Sequence, residues 1–86
     1  MKRIIEDKDE PGMEAYLGEN VLLLCANYFY AGKLVGVNDT FVELEEPSIV
    51  YETGAWENPA YGDVQRLSAT RWRVQVAFIE SYGAGK

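Results

Sequence analysis

"YAGKLVGVNDTFVEL", residues 30–44, is the stretch on which the fold turns. It alternates like a strand and is rich in β-formers, yet Gly32 and Gly36 sit inside it. A glycine in a strand interior packs nothing and loses the most backbone entropy on folding. Both glycines hold even positions, and side chains alternate along a strand, so both fall on one face. A strand stripped twice on one face is one that can bend, and a bent strand lets a sheet curl over itself.

The flanks agree with a curled sheet. "VLLLCA" (21–26) is apolar without alternation and too short for a free-standing helix, so it reads as a strand buried on both faces. Asn27 and Tyr28 supply a turn, and a second strand covers 29–37. Asn38 and Asp39 tolerate left-handed geometry and bond their own backbone, which makes a second turn before a third strand at 40–45. Three strands in quick succession form a meander. Pro47 is expected to interrupt it, with "SIVYETG" (48–54) as a further extension. Residues 47–70 as a whole read as a loop excursion carrying Trp56 and Tyr61, which pack back over the sheet or touch a ligand. In "RWRVQVAFIESY" (71–82) Arg71, Arg73 and Gln75 alternate with Trp72, Val74 and Val76, a half-buried strand. The alternation fails at Ala77, Phe78 and Ile79, so a tight turn is expected there to reset the phase.

Toward the N-terminus, Met13, Tyr16 and Leu17 share one helical face and Gly18 is a stop, giving one or two helical turns over 12–17. Residues 1–10 form a charged arm, and 83–86, "GAGK", a short flexible tail. That tail lacks the upstream glycine and the following Ser/Thr of a phosphate loop. The domain proper is 11–82. A helix and four or five strands in so short a chain are best accommodated by a small, strongly bent barrel.

The chain has 86 residues, a single domain's worth, and a chain of that size buries only about 60–65% of the surface it exposes unfolded. With 48% hydrophobic and 26% charged residues it is globular. A net charge of −6 argues against a general binder of phosphate backbones, though not against a small site for bases. Cys25 is the one cysteine and there is no histidine to activate it, so it reads as a small buried hydrophobe. The acidic residues Glu43, Glu45, Glu46, Glu52 and Glu57 show no pair set in a defined pocket, so neither an enzyme nor a metal or cofactor site is expected. Lys2 and Arg3 begin like a signal peptide, but the apolar stretch stops after two residues, and no run approaches the ~18 apolar residues of a membrane span.

The pattern resembles the Sm-like family. In "NVLLLCANYFYAGKLVGVNDTFVEL" the apolar run 21–24 is followed by Gly32, Leu34, the Asn38-Asp39 turn, Phe41 and Leu44, matching the family's first motif across 18–46. Residues 74–79, "VQVAFI", keep the spacing of the second motif, with Gln75 in place of its basic residue and Val76 in place of its glycine. The third-strand asparagine of RNA-binding members falls on Val42, or on Glu43 if the turn carries one more residue. The resemblance implies a mainly β, five-stranded, highly bent barrel with a short N-terminal helix. It also implies a cyclic homo-oligomer of about five to seven copies. Phage-encoded or bacterial branches are the most similar, implying a cytoplasmic setting in a bacterial cell, phage-infected or not. Two functions follow. In one, single-stranded RNA is held by Asn38, Asp39, Phe41 and Gln75, with Arg71 and Arg73 facing phosphates. In the other, RNA binding is lost and the ring presents 47–70 to another protein. Arg71 and Arg73 have a competing use, pairing with Glu43, Glu45 and Glu46.

Overall fold

The computed structural model describes residues 12–86, so the charged arm 1–10 lies outside the described residues. Six strands form one antiparallel sheet: β1 Asn20–Cys25, β2 Phe29–Val37, β3 Phe41–Glu52, β4 Asp63–Arg66, β5 Arg71–Gln75 and β6 Ile79–Ala84. Their order is β4-β3-β2-β1-β6, and β5 also pairs with β3. β2 takes one edge of β3, along Val42 to Val50. β5 and β4 follow one another on the other edge, opposite 41–45 and 48–52.

The two glycines of β2 sit where its ladder with β3 slips. Ala31 faces Ser48 and Lys33 faces Glu45, so Gly32 alone stands opposite Glu46 and Pro47. That is a bulge in β3, and Glu46 accordingly has a positive φ of 52°. A Cβ on Gly32 would lie 3.1 Å from the Glu45 carbonyl oxygen and 3.2 Å from Leu44 Cβ, so the bent strand passes too close for a side chain. The second slip leaves Val35 extra in β2, between Leu34↔Leu44 and Gly36↔Glu43. Gly36 has more room, its nearest neighbour being Glu43 Cβ at 3.4 Å.

Five sequence expectations change, the last of them at the C-terminal end. Pro47 does not end β3, which runs through it for 12 residues. The bulge explains this: a residue outside the regular ladder needs no N–H partner, so proline fits. The Glu46 N–H donates to Thr70 O at 3.1 Å, and Pro47 O accepts from Leu67 N at 2.9 Å, tying the bend to the neighbouring loop. Secondly, the strands number six rather than five, because the 47–70 excursion contains β4. All four β4 residues are exposed and only Val64 is apolar, so no alternation marked it. Thirdly, the sheet is not a closed barrel: among the described residues β5 pairs with β3 and β6 with β1, without a ladder between them. The expected phase reset is what carries the chain across, as a 3-10 turn at Val76–Phe78. Fourthly, the expected helix is one 3-10 turn, Met13–Tyr16. Leu17 is already extended at ψ 129° and Gly18 has φ 89°, so no second turn can follow.

Residues 83–86, read as a flexible tail, instead continue β6 to Ala84. Gly85 N then donates to Asn20 O at 2.9 Å, and Lys86 N to Tyr61 Oη at 3.1 Å.

β1 is buried on both faces, as its unbroken apolar run requires. Val21, Leu23 and Cys25 join Leu34, Val42, Leu44 and Val74 in the main core, with Met13 closing one end. Leu22 faces the other way, onto Ala31 and Val50, under Leu24 and Tyr61. Thus Tyr61 packs over the sheet, whereas Trp56 stays 66% exposed. No helix among the described residues is long and apolar enough to cross a membrane.

The bend predicts a contrast between the glycines. Gly32→Val is expected to lower stability by about 1–3 kcal/mol through overpacking. Gly36→Ala, meeting only ordinary contact, is expected to stay within about 0.5 kcal/mol of the parent. Urea midpoints of the two variants check this, and equal losses would contradict the account of the bend.

Candidate functional site

The residues expected to form a site come together on the outer face of the β3–β5 ladder. Pairing sets Phe41 opposite Gln75, Glu43 opposite Arg73 and Glu45 opposite Arg71. The alternate residues Val42, Leu44 and Val74 point into the core, which turns these six side chains outward. The β2–β3 turn joins them because Val76 N donates to Thr40 O at 2.9 Å, holding the turn beside the end of β5.

Asn38, Phe41, Glu43, Arg71 and Arg73 each have a structural occupation. Asn38 Oδ1 accepts from the backbone N–H groups of Thr40 and Phe41, both at 2.8 Å. That is an Asx turn, and it is why Asn sits there. Asp39 is exposed at the tip of the same turn. Phe41 is half-buried, and the Arg73 guanidinium lies 4.3 Å from its ring centroid, occupying one stacking face. Glu43 is bonded twice: Arg71 Nη1 donates to Oε2 and Arg73 Nε to Oε1, each at 3.2 Å. Arg71 Nη2 also reaches Glu45 Oε2 at 3.3 Å. Farther along, Arg66 pairs with Glu46 at 3.2 Å.

Two arginines thus meet two carboxylates, and the face carries no net charge. Each pair is partly exposed and worth at most about 1 kcal/mol to stability. The electrostatic consequence is larger: a phosphate approaching either guanidinium group also meets the carboxylates of Glu43 and Glu45 beside it. Of the two positions expected from the Sm-like resemblance for an asparagine, Val42 is fully buried and cannot touch a ligand, and Glu43 is held by Arg71 and Arg73.

The unclosed sheet creates a second feature, missed in the sequence. A cleft of about 370 Å³ opens between the β1–β2 turn and β5, lined by Tyr28, Tyr30, Trp72 and Phe78 together with Asn27 and Gln75. Trp72 belongs by alternation to the inner face, yet it is 39% exposed because no strand covers it there. Phe78, on the 3-10 turn, is 62% exposed. Flat aromatic surface bordered by polar residues suits a planar, hydrogen-bonding ligand. The only sequence signal for it is the bunching of aromatics at 28–30, because Tyr28 fits a turn and Phe78 a bend equally well.

Cys25 lies at the floor of this cleft and is 8% exposed. Burial pushes its thiol above the usual range, and burial also raises Tyr30, with smaller contributions from the charges of Cys25 and Tyr28. Among the described residues, no cluster of three or more His, Cys, Asp or Glu is placed to hold a metal ion.

No protein-family model matches the chain, and a search of curated proteins returns no match.

The Cys25 environment has two measurable consequences. Iodoacetamide at neutral pH is expected to alkylate Cys25 at least about tenfold more slowly in the folded chain than in urea, since the thiolate is the nucleophile. A raised folded-state value also means that Cys25 favours the fold fully below the unfolded thiol value, about 8.5, and progressively less as pH rises above it. Denaturant midpoints that rise between pH 8 and pH 10 would contradict this.

Proposed function

We propose that the chain is the subunit of a ring-forming Sm-like homo-oligomer, acting as a protein-interaction or scaffold module. The observation that carries the first half is the pair of free sheet edges. The outer edge of β4 and β5 and the outer edge of β6 lie at opposite ends of one strand order, with no strand against either among the described residues. Unpaired edges recruit further strands. Because the two edges differ, pairing runs head to tail, and head-to-tail pairing that closes makes a ring. Apolar side chains support contact at both: Val64 on β4 is 43% exposed and Tyr82 on β6 44%. The ring size of about five to seven copies, like the phage or bacterial setting, rests on the family resemblance alone.

The second half rests on charge. The net charge of −6 and the pairing of Arg71 and Arg73 with Glu43 and Glu45 leave the expected RNA face without an excess of positive charge. RNA binding is the second reading, and the aromatic cleft is the observation that favours it, since bases stack on such rings at about 1–3 kcal/mol each.

Two measurements decide. Val64→Glu places a carboxylate on the β4 edge and is expected to elute later than the parent in size-exclusion chromatography; unchanged elution would remove that edge from the interface. Fluorescent oligo-U and oligo-A titrated at low salt are expected to show no binding at high micromolar protein. Submicromolar binding that weakens with Gln75→Ala or Phe41→Ala would assign the ring to RNA instead.

A further inference from the structure

Lys86 ends in an unusually complete set of partners. Its Nζ donates to three backbone carbonyls, Thr53 O at 2.7 Å, Ala55 O at 2.9 Å and Ala60 O at 3.2 Å. It also stands 5.5 Å from the Trp56 ring centroid and 5.4 Å from that of Tyr61, within cation–π range of both. An alkylammonium has three N–H donors and no acceptor, so three converging carbonyls match it one for one.

The loop is shaped for this apart from Lys86. Gly54 takes a left-handed φ of 71°, and its N–H donates to Glu52 Oε1 at 3.2 Å. Asn58 N donates to Ala55 O at 3.0 Å, closing a turn. Tyr61 is held against Leu22, Ala31 and Val50 by packing. These contacts orient the Thr53 and Ala55 carbonyls and pack the Tyr61 ring without the Lys86 ammonium.

We propose that residues 53–61 form a receptor for a primary alkylammonium group, filled here by the chain's own Lys86, and that a lysine side chain from another molecule binds there once Lys86 is withdrawn. Lys86 competes as a tethered ligand, at an effective concentration in the millimolar range. The site is therefore self-occluded, and an outside lysine gains access only by displacing it. The inference does not depend on ring formation or on RNA.

The test uses the full chain carrying Trp72→Phe, so that Trp56 alone reports fluorescence. With Lys86→Ala added, n-butylammonium is expected to change Trp56 emission saturably. The response should be at least about tenfold weaker where Lys86 is kept, given the tethered competitor. Tetramethylammonium has the same charge and keeps the cation–π attraction but has no N–H donors, and is expected to respond at least about tenfold more weakly. No response to n-butylammonium, or equal responses to both cations, would overturn the proposal. A measurement on the unmodified chain guards against a variant that does not fold. Reductive methylation followed by mass spectrometry should label Lys86 at least about tenfold more slowly than the exposed Lys33. Equal rates would overturn the proposal whatever the variant does.

Discussion

The close passage of Gly32 against the Glu46–Pro47 bulge governs the rest of the structure. One residue of β2 meets two of β3 there, and the absence of a Cβ lets the backbones approach. The break divides β3 into two working halves. Residues 41–45 carry Val42 and Leu44 into the main core and receive β5, while 48–52 carry Val50 into the smaller core and receive β4. Bending a strand this way covers β1 on both sides with a single sheet, so Leu22 and Leu23 are both buried although they point in opposite directions. A small chain thereby gains two apolar layers without a second sheet, which its length would not supply.

Much of this was legible because it rests on steric and periodic signals. The unbroken run of β1 announced burial on two faces. The glycines of β2 announced the bend, and the triple of apolar residues at 77–79 announced the break between β5 and β6. What stayed hidden depended on partners distant in sequence. β4 has one apolar residue in four and is a strand only because residues 48–52 offer it an edge. Pro47 reads as a stop when isolated, and is tolerated because Leu67 and Thr70 take up the hydrogen bonds of the bulge. Lys86 gives no local signal at all; its carbonyl partners lie 26 to 33 residues earlier.

The candidate site divides in the same way. Asn38 was correctly placed as a turn former, since its bonds reach only two and three residues ahead. The alternation of β5 put Arg71, Arg73 and Gln75 on one face, and the competing use of the arginines in ion pairs is the one the structure realises. The aromatic cleft was not foreseen, because a gap between β5 and the β1–β2 turn exists only when the barrel fails to close. Both the cleft and the free edges follow from that failure. Unpaired strand edges recruit further strands, and the proposed homo-oligomer would use these two.

The account therefore stands most directly on the mass of the particle in solution. Static light scattering on the intact chain at micromolar concentration should give an integral multiple of the subunit mass, about five to seven copies, unchanged over a tenfold dilution as a closed ring requires. A monomer mass throughout, or a mass that keeps growing with concentration, would contradict it.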